Sequence, residues 1–351
     1  MNMLDYISYS YLTIADIDTP QYRVFLEAYH GAGTFPAWRE RITWYFSKGN
    51  DAYRILVAKT DSKYVGQSCA YKVTAIVNGV ETVWWWSIDT FVFPQMRGLG
   101  IGKKLQQQLH NDLPNFSSAW YSPTNGIIKR KCGGHGILDF PFVYYPVSSY
   151  FSIVLELIMK KLVSRRFSVP RLRLPYLYTK LNNLSGLRQK DYQIEELNAD
   201  ALPSLSEFME SCLDDTQFHI IRSKDYLQWK YVDNPRMKCH VLSVFEKGQR
   251  VGLIVFSDIQ ESKVVLAKAK IVKIYESLYT KTSGLTHKKL LALVADYYRN
   301  NKQPFDGILS LQKMDYRPTF IYPRPHSELL STLPIEKLSS GYITYSDQDM
   351  E

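Results

Sequence analysis

The residues best suited to chemistry lie in a short glycine-rich loop that follows Pro94. Gly98, Gly100 and Gly102 alternate with larger residues, and Lys103 comes directly after them. Glycine has no Cβ, so the backbone N–H groups of such a loop are open to a ligand. Because the chain beyond the loop is predicted to be helical, these N–H groups and the helix dipole favour an anion such as a diphosphate. The spacing therefore predicts a binding loop for a phosphorylated ligand.

Two common nucleotide-binding motifs do not fit this loop. The P-loop requires G-x-x-x-x-G-K-[ST], and the dinucleotide-binding motif requires G-x-G-x-x-G. This chain has G-x-G-x-G at residues 98–102. The spacing therefore argues against a P-loop NTPase and against a dinucleotide-binding enzyme.

The elements around the loop are predicted from periodicity and turn residues. A strand rich in aromatic and β-branched residues leads into the loop. A helix with Ile101, Leu105 and Leu109 on one face leaves it. The pair Asn78-Gly79 accepts positive φ and predicts a hairpin turn. The predicted order is helix Pro20–His30, helix Ala37–Lys48, strand Tyr53–Lys59, strand Tyr64–Val77, strand Thr82–Phe93, the loop with its helix, and a last strand of the first domain at Phe140–Val147.

The loop and its flanks resemble the coenzyme A signature of the GCN5-related N-acetyltransferase (GNAT) superfamily. That signature is Q/R-x-x-G-x-G/A, and Arg97-x-x-Gly100-x-Gly102 fits it after a strand that ends in Val92-x-Pro94. An overlapping fit is Gln95-x-x-Gly98-x-Gly100. The resemblance implies an α/β fold with a mixed sheet, acetyl-CoA as the acyl donor and no metal. The cofactor-binding residues it implies are Phe91, Val92, Phe93, Arg97, Gly98, Leu99, Gly100, Ile101, Gly102, Lys103 and Asn125.

Acyl transfer from a thioester to an amine requires a neutral amine, a polarised carbonyl and a proton for the leaving thiolate. Asp89, on the strand before the loop, is a candidate base, and its alternative role is an ion pair. Tyr121 and Tyr145 are candidate proton donors among 26 tyrosines, most of which we expect to be packing residues. Many family members carry the donor tyrosine in a short helix after an asparagine such as Asn125. No tyrosine lies at residues 126–132, so the resemblance leaves that role open.

Other aromatic and histidine residues near the loop have two interpretations. Alternation along a strand puts Trp84 and Trp86 on one face and Trp85 on the other. One face could form a platform for a sugar acceptor, but we favour packing of these rings beneath flanking helices. His30 and His135 lie where they could line an acceptor cleft, and we expect each to be structural or exposed.

Composition narrows the class of protein. The chain has 351 residues, enough for two domains, and 45% of them are apolar. Its four cysteines contain no C-x-x-C pair, which argues against a zinc cluster or a disulfide scaffold and favours a reducing cytoplasm. The N-terminus lacks the basic head and apolar core of a signal peptide. We therefore expect a cytoplasmic protein.

The net charge of +9 allows three kinds of partner: nucleic acid, an anionic membrane surface, or an anionic cofactor. The sequence contains no recognisable nucleic-acid-binding motif, so we expect no nucleic-acid partner. Residues 159–180 carry seven basic and no acidic side chains. This stretch is a candidate for peripheral membrane contact, although we favour a charged inter-domain segment. An anionic thioester cofactor is sufficient to explain positive charge near the loop.

The second half of the chain resembles the first. Trp44-Tyr45-Phe46 recurs as Trp229-Lys230-Tyr231 at a spacing of 185 residues (229 minus 44), and Val65-Gly66 recurs as Val251-Gly252 at 186 (251 minus 65). Such spacing is typical of a duplicated domain. The predicted division is a GNAT domain at 1–148, an apolar and basic connector at 149–188, and a second GNAT-like domain at 189–351.

The glycine loop is not repeated. At a spacing of 186, Arg97, Gly98, Gly100 and Gly102 correspond to Ser283, Gly284, Thr286 and Lys288. A Cβ at these positions crowds an approaching diphosphate and restricts φ. The second copy is therefore predicted to keep the fold and to lack coenzyme A.

The resemblance implies an acetyl-CoA-dependent N-acetyltransferase that acts on a small amine or amino sugar by direct transfer in a ternary complex. Two alternatives remain open. Tandem GNAT folds also occur in aminoacyl-tRNA-dependent transferases, and a doubled domain could bind acyl-CoA as a scaffold without catalysis.

Overall fold

The computed structural model describes residues 6–61, 63–119, 121–140, 143–147, 192–261, 269–311, 320–321, 328–344 and 347. These residues form two mixed sheets of eight strands each, with helices packed on them. The predicted α/β class with mixed sheets is thereby confirmed. The predicted connector at 149–188 and the boundary at its end lie outside the described residues.

Strands outnumber α-helices among the described residues. The strands are β1 (Ser8–Leu12), β2 (Tyr53–Lys59), β3 (Tyr64–Val77), β4 (Val80–Val92), β5 (Phe116–Ser118), β6 (His135–Asp139), β7 (Val143–Pro146), β8 (Tyr192–Leu197), β9 (Phe218–Ile220), β10 (Cys239–Glu246), β11 (Gln249–Ser257), β12 (Gln260–Glu261), β13 (Lys270–Tyr279), β14 (Gly307–Ser310), β15 (Phe320–Ile321) and β16 (Glu328–Ser331). The helices are α1 (Pro20–His30), α2 (Phe35–Phe46), α3 (Ile101–Asp112), α4 (Pro123–Lys131), α5 (Ser206–Ser211), α6 (Lys224–Leu227) and α7 (His287–Asn300).

Local sequence explains the elements that lead to the loop. Helix α1 begins at Pro20, whose fixed φ suits a first helical turn, and ends at His30, just before Gly31, whose φ is +112°. The β3–β4 hairpin turns at Asn78 and Gly79, with φ of +51° and +78°. The predicted bounds of α1, β2 and β3 are confirmed, whereas β4 begins two residues earlier and ends one residue earlier than predicted.

The two sheets have the same strand order. In the first sheet the order is β1-β2-β3-β4-β5-β16-β6, and the eighth strand, β9, pairs with β3. In the second sheet the equivalent order is β8-β10-β11-β13-β14-β7-β15, and the eighth strand, β12, pairs with β13. In each sheet one parallel pair, β4–β5 or β13–β14, interrupts an otherwise antiparallel order. The strand before last in each order comes from the opposite half of the chain.

This exchange corrects one prediction. The strand predicted at Phe140–Val147 does not complete the first sheet, because β7 pairs with β14 and β15 in the second sheet. Its place beside β5 is taken by β16. The pairing partner of a strand is set by distant residues, so local sequence patterns did not reveal the exchange.

The two halves also meet through a reciprocal contact between repeated residues. The Trp44 and Trp229 rings stack with centroids 4.4 Å apart. Each indole Nε1–H donates to the other residue's backbone carbonyl, at 2.9 and 3.2 Å. These two residues are 185 positions apart, the spacing found in the sequence. A reciprocal contact of this kind is what a duplicated pair related by a two-fold axis makes, and it supports the proposed duplication.

The tryptophan run on β4 is packed on both faces of the sheet. Trp84 and Trp86 lie in the core with residues of α1 and α2, and Trp85 lies in the core with α3. All three side chains are buried. The prediction that these rings pack beneath helices is confirmed.

Candidate active site

The glycine loop is open where a diphosphate would approach. Gly98 and Gly100 have φ of +84° and +78°, and a Cβ built on either would meet no atom within 4 Å. Gly100 is the N-cap of α3, and no side chain caps this helix end. The first N–H groups of a helix have no partner within the helix, and the space around Gly98 and Gly100 is open. The loop therefore has the form of an anion-binding turn.

Neighbouring elements pack close behind the loop. A Cβ on Gly102 would lie 3.7 Å from Val92 Cγ2 and 3.8 Å from Ile128 Cδ1, so β4 and α4 both reach this glycine. The Arg97 Nε donates to the Val92 carbonyl at 3.1 Å. Ile101 is buried against the sheet and anchors the start of α3. The predicted residues from Phe91 to Lys103 are thus brought together at one end of β4.

The pairing of β4 with β5 stops after two residues, and the region beside the unpaired part of β4 is called the cleft. These strands pair only at Trp85–Phe116 and Trp86–Ser117, although β4 continues to Val92. Within the described residues, positions 87–92 therefore have no strand partner on that edge. Residues 87–90 are half-buried, in contrast to the buried tryptophans before them. An extended ligand arm can pair with such an edge in the manner of an added strand.

Asp89 lies at a bulge beside this edge. The β3–β4 register shifts between Gln67 and Cys69, and Asp89 has a φ of +47°. Its carboxylate is 3.1 Å from Arg41 Nη1, with side-chain exposures of 16% for Asp89 and 8% for Arg41. The alternative role considered for Asp89, an ion pair, is therefore present. Its role as a base remains a proposal.

A cluster of stacked aromatic side chains lies on the α1 side of the cleft. The Tyr29 ring stacks on Phe91 at 3.7 Å, and the His30 ring stacks on Trp38 at 3.9 Å. The buried His30 Nε2 has no hydrogen-bond partner among the described residues. Burial and the nearby Arg41 lower the pKa of His30 to about 4. His30 is therefore a neutral imidazole at physiological pH.

Tyr121 lies beside α4 and contacts the exchanged strand. Its hydroxyl donates to Glu328 Oε2 on β16 at 3.4 Å, and Arg130 binds the same carboxylate. Burial, and then the Glu328 charge, raise the pKa of Tyr121 to about 12, so the hydroxyl stays protonated. A residue of the second half thus reaches a candidate residue of the first.

The two remaining candidates lie apart from each other. The Asn125 backbone N–H donates to Ser122 Oγ at 3.2 Å, which caps α4 beside the loop. Tyr145 lies on β7 opposite Ile308, buried in the core of the second sheet. The structure therefore does not bring Tyr145 to the cleft, because its strand belongs to the other sheet.

Sequence reasoning missed a buried lysine at the end of the cleft. Lys129 on α4 is 6% exposed. Its Nζ lies 2.7 Å from Ser87 Oγ and 3.0 Å from Gln106 Oε1. Burial lowers the pKa of Lys129 to about 7. The available signal was helical spacing, since Gly126 and Lys129 share the buried face of α4.

The corresponding loop of the second half is occupied by its own side chains. Thr286 caps α7 by accepting from the Lys289 N–H at 3.3 Å. The Lys289 Nζ donates to the Gly284 carbonyl at 2.8 Å, and the Tyr192 hydroxyl donates to the Ser283 carbonyl at 2.6 Å. The polar groups around this turn therefore already have partners.

The second cleft is also bridged. His287 Nδ1 lies 2.6 Å from Ser277 Oγ on β13, and its Nε2 lies 3.1 Å from Ser310 Oγ on β14. The Ser277 backbone N–H donates to the Tyr342 hydroxyl at 2.9 Å. Side chains thus fill the space between the two parallel strands.

The described part of the chain holds neither a membrane-spanning helix nor a metal-binding cluster. There, no helix is both long and apolar enough to cross a bilayer. No group of three or more histidine, cysteine, aspartate or glutamate side chains is arranged to hold a metal ion in the same ranges. All four cysteines are free thiols.

Comparisons with known structures identify the fold. A probable N-acyltransferase from Enterococcus faecalis V583 has a TM-score of 0.56 at 12% identity, over 93% of this chain and 71% of that one. A GCN5-related N-acetyltransferase from Kribbella flavida has a TM-score of 0.55 at 11% identity, over 93% and 71%. Saccharomyces cerevisiae N-myristoyltransferase with bound myristoyl-CoA has a TM-score of 0.53 at 13% identity, over 94% and 79%. At these identities the likeness is one of fold.

The sequence comparisons identify one domain. No curated protein sequence matches the chain. The profile of the Acetyltransferase (GNAT) family matches residues 13–117, which include the glycine loop and the strand before it. Residues 13–117 therefore form a GNAT acetyltransferase domain.

Proposed function

We propose that this protein is an acetyl-CoA-dependent N-acetyltransferase whose acceptor is a small amine or amino sugar. The observation that carries the proposal is the open loop at Gly98 and Gly100 next to the unpaired edge of β4. A diphosphate needs backbone N–H donors at a helix start, and an extended thioester arm needs a strand edge. Both lie here in the order that one extended ligand requires.

In the proposed complex, N–H groups between Gly98 and Lys103 hold the diphosphate. The pantetheine arm pairs with β4, and a backbone N–H near Phe91 or Val92 polarises the thioester carbonyl. Asn125, at the start of α4, contacts the arm. Direct transfer needs no covalent enzyme intermediate, because the amine and the thioester are held together in one complex.

Proton transfer is assigned to groups at the cleft. Asp89 is the proposed acceptor of the amine proton, with Arg41 fixing its orientation. Tyr121 is the proposed donor to the thiolate, since its raised pKa keeps the hydroxyl protonated. Glu328, which belongs to the second half, orients Tyr121 through their hydrogen bond. In this proposal the second half is a degenerate copy of the first and shapes its site.

A longer acyl donor is a second candidate. The likeness to N-myristoyltransferase, which holds myristoyl-CoA in its own structure, spans 94% of this chain. Donors with acetyl, octanoyl and myristoyl chains therefore belong in the first assay. The donor with the highest kcat/KM decides between the two.

The test is calorimetric titration with coenzyme A and acetyl-CoA, followed by turnover with a panel of amines. Gly100→Glu places a carboxylate at the diphosphate position and is expected to weaken binding by 100-fold or more, about 2.7 kcal/mol. Gly248→Glu is the matched control, because Gly248 also has a positive φ of +80° with open space around it but lies in the β10–β11 turn. Equal affinity in wild type and Gly100→Glu, or no binding at all, would overturn the proposal.

A further inference from the structure

A chain of hydrogen-bonded side chains connects α4 to the bulge of β4. Lys129 Nζ on α4 donates to Ser87 Oγ at 2.7 Å and to Gln106 Oε1 at 3.0 Å. Gln106 Nε2 on α3 donates in turn to Ser68 Oγ at 2.7 Å and to Thr90 Oγ1 at 3.1 Å. Lys129, Gln106 and Ser68 are 6%, 1% and 0% exposed, so the middle of the chain is shielded from water.

The chain contacts β4 on both sides of Asp89. Ser87 lies two residues before it and accepts directly from Lys129. Thr90 lies directly after it and accepts from Gln106. Asp89 itself has a φ of +47°, which is unfavourable for a residue with a Cβ. Such a conformation persists only where surrounding contacts impose it, and this chain supplies two of those contacts.

Gln106 binds the bulge through an amide whose orientation Lys129 sets. The strand register places two residues of β4, Asp89 and Thr90, opposite the single residue Ser68 of β3. The Ser68 and Thr90 hydroxyls lie 2.7 Å apart, and the Gln106 amide nitrogen donates to both. Lys129 donates to the amide oxygen on the other side, which favours this orientation over the flipped one.

Donors and acceptors match along the chain. Burial lowers the pKa of Lys129 to about 7, so the neutral amine predominates at pH 8. A neutral amine has two N–H groups, and Ser87 and Gln106 supply two acceptors. An apolar side chain in place of Lys129 would leave the buried Gln106 carbonyl without this donor, and a buried acceptor that loses its donor is costly.

Lys129 also lies where β4 and β5 separate. The last described pair is Trp86–Ser117, and Ser87 is the next residue of β4. Lys129 Nζ, which binds Ser87, is 5.4 Å from the centroid of the Phe116 ring on β5. The lysine side chain therefore contacts both strands at the point where their pairing stops.

We propose that Lys129 is a positioning residue for the acyl donor, and that it acts through Ser87 and Gln106 to hold the β4 edge in the conformation that receives the pantetheine arm. This edge includes the N–H near Phe91 or Val92 that polarises the thioester in the proposed complex. Lys129 acts through its neighbours and takes no part in proton transfer. The inference rests on the proposed function, because that function assigns this edge to the arm of the donor.

The test compares two ligands that differ only in the arm. Coenzyme A carries the pantetheine arm, whereas 3′-phosphoadenosine 5′-diphosphate has the same nucleotide and diphosphate without it. Calorimetric titrations at pH 8 compare wild type with Lys129→Met. We expect the variant to lose about tenfold in affinity for coenzyme A, because a buried acceptor beside the arm site loses its donor. Its affinity for the ligand without an arm should equal that of wild type, a difference that a general loss of stability would not produce.

Lys131→Met is the matched control, because Lys131 lies on the same helix with its side chain exposed. We expect it to bind both ligands as wild type does. Gln106→Met should reproduce the loss for coenzyme A. The Lys129→Met/Gln106→Met double variant should lose no more than the weaker-binding single variant, because both changes break one chain. Thermal unfolding confirms that each variant is folded.

Ser87→Ala keeps the test decisive if Lys129→Met does not fold. It removes one acceptor of Lys129 on the partly exposed strand edge, and we expect a smaller loss, about threefold, for coenzyme A alone.

Unchanged coenzyme A affinity in folded Lys129→Met or in Ser87→Ala would overturn the inference and leave the proposed function standing. Equal losses for the two ligands would do the same. A wild-type protein that does not bind coenzyme A would overturn the proposed function and this inference together.

Discussion

The two halves of the molecule present the same turn in opposite states. In the first half, the turn before α3 carries Gly98 and Gly100 with open space above them. In the second half, the turn before α7 is capped by Thr286 and bonded by Lys289. Both turns follow a strand and a short 3₁₀ segment, Pro94–Met96 in the first half and Lys281–Ser283 in the second. The difference shows that the backbone frame alone does not make an anion site, because side chains decide whether the N–H groups remain for a ligand.

The clefts beside the two turns differ as the turns do: in the described part of the chain the first has an unpaired strand edge, and the second is spanned by side chains. The edge of β4 beyond Trp86 lacks a strand partner among the described residues. The equivalent space beside β13 is spanned by His287 between Ser277 and Ser310. A helix that starts with the apolar Ile101 leaves its cleft free, whereas one that starts with His287 fills it. The second half therefore uses the ligand space of the first half for internal hydrogen bonds.

The largest expected difference between the two halves is the loss of stability when the arginine that pairs with their carboxylates is replaced. Arg222 lies between Glu276 and Asp347 with all three side chains fully buried. We expect Arg222→Met to lower the free energy of unfolding by about 3–5 kcal/mol, because two buried carboxylates lose their counter-charge. Denaturant unfolding measures the loss.

Arg41→Met is the matched change in the first half. Its partner Asp89 is 16% exposed and can recover water. The expected loss is smaller, about 1–2 kcal/mol. Equal losses in the two variants would contradict the view that the second site is a sealed structural network and the first an accessible one.

The second prediction concerns pH. Burial lowers the pKa of His287 to about 3. The unfolded chain binds a proton on this ring near pH 6.5, so between pH 6.5 and pH 3 the unfolded state holds more protons. The free energy of unfolding should therefore fall as the pH is lowered, by up to about 1.4 kcal/mol per pH unit from this residue.

His287→Asn should remove that contribution. The difference in unfolding free energy between wild type and variant, followed from pH 7 to pH 4, isolates it from other groups. His30 titrates in the same direction, with a pKa of about 4, and it is unchanged in both proteins. A difference that stays constant with pH would show that His287 is not held neutral in the second cleft.

The smallest expected effect is at the helix cap. Thr286→Ala removes the side-chain acceptor at the start of α7 and should cost about 1 kcal/mol of stability. Because we propose that this turn does not bind coenzyme A, affinity for it should stay unchanged. Chemical denaturation and calorimetry check the two parts separately. A change in affinity would mean that the second turn takes part in binding.

Local elements were predictable from sequence, whereas the exchange between the halves was not. The hairpin at Asn78-Gly79 and the helix between Pro20 and Gly31 follow from residues with restricted or unusual φ, and both are confirmed. The exchange of β7 and β16 depends on pairing between residues far apart in sequence. Tyr145 was assigned to the cleft because β7 was expected to complete the first sheet.

The site was predictable only in part for the same reason. The glycine loop is a contiguous motif, so its spacing identified it. Ser87, Gln106 and Lys129 lie on three different elements, β4, α3 and α4, and no short motif contains them. The bulge at Asp89 is likewise a property of strand register rather than of local composition.

The most direct test of the central claim is a crystal structure of the protein with bound coenzyme A. We expect the diphosphate oxygens within hydrogen-bonding distance of backbone N–H groups between Gly98 and Lys103, with the pantetheine arm along β4 and no ligand at Gly284. A coenzyme seated beside Gly284, with the turn before α3 empty, would contradict the account.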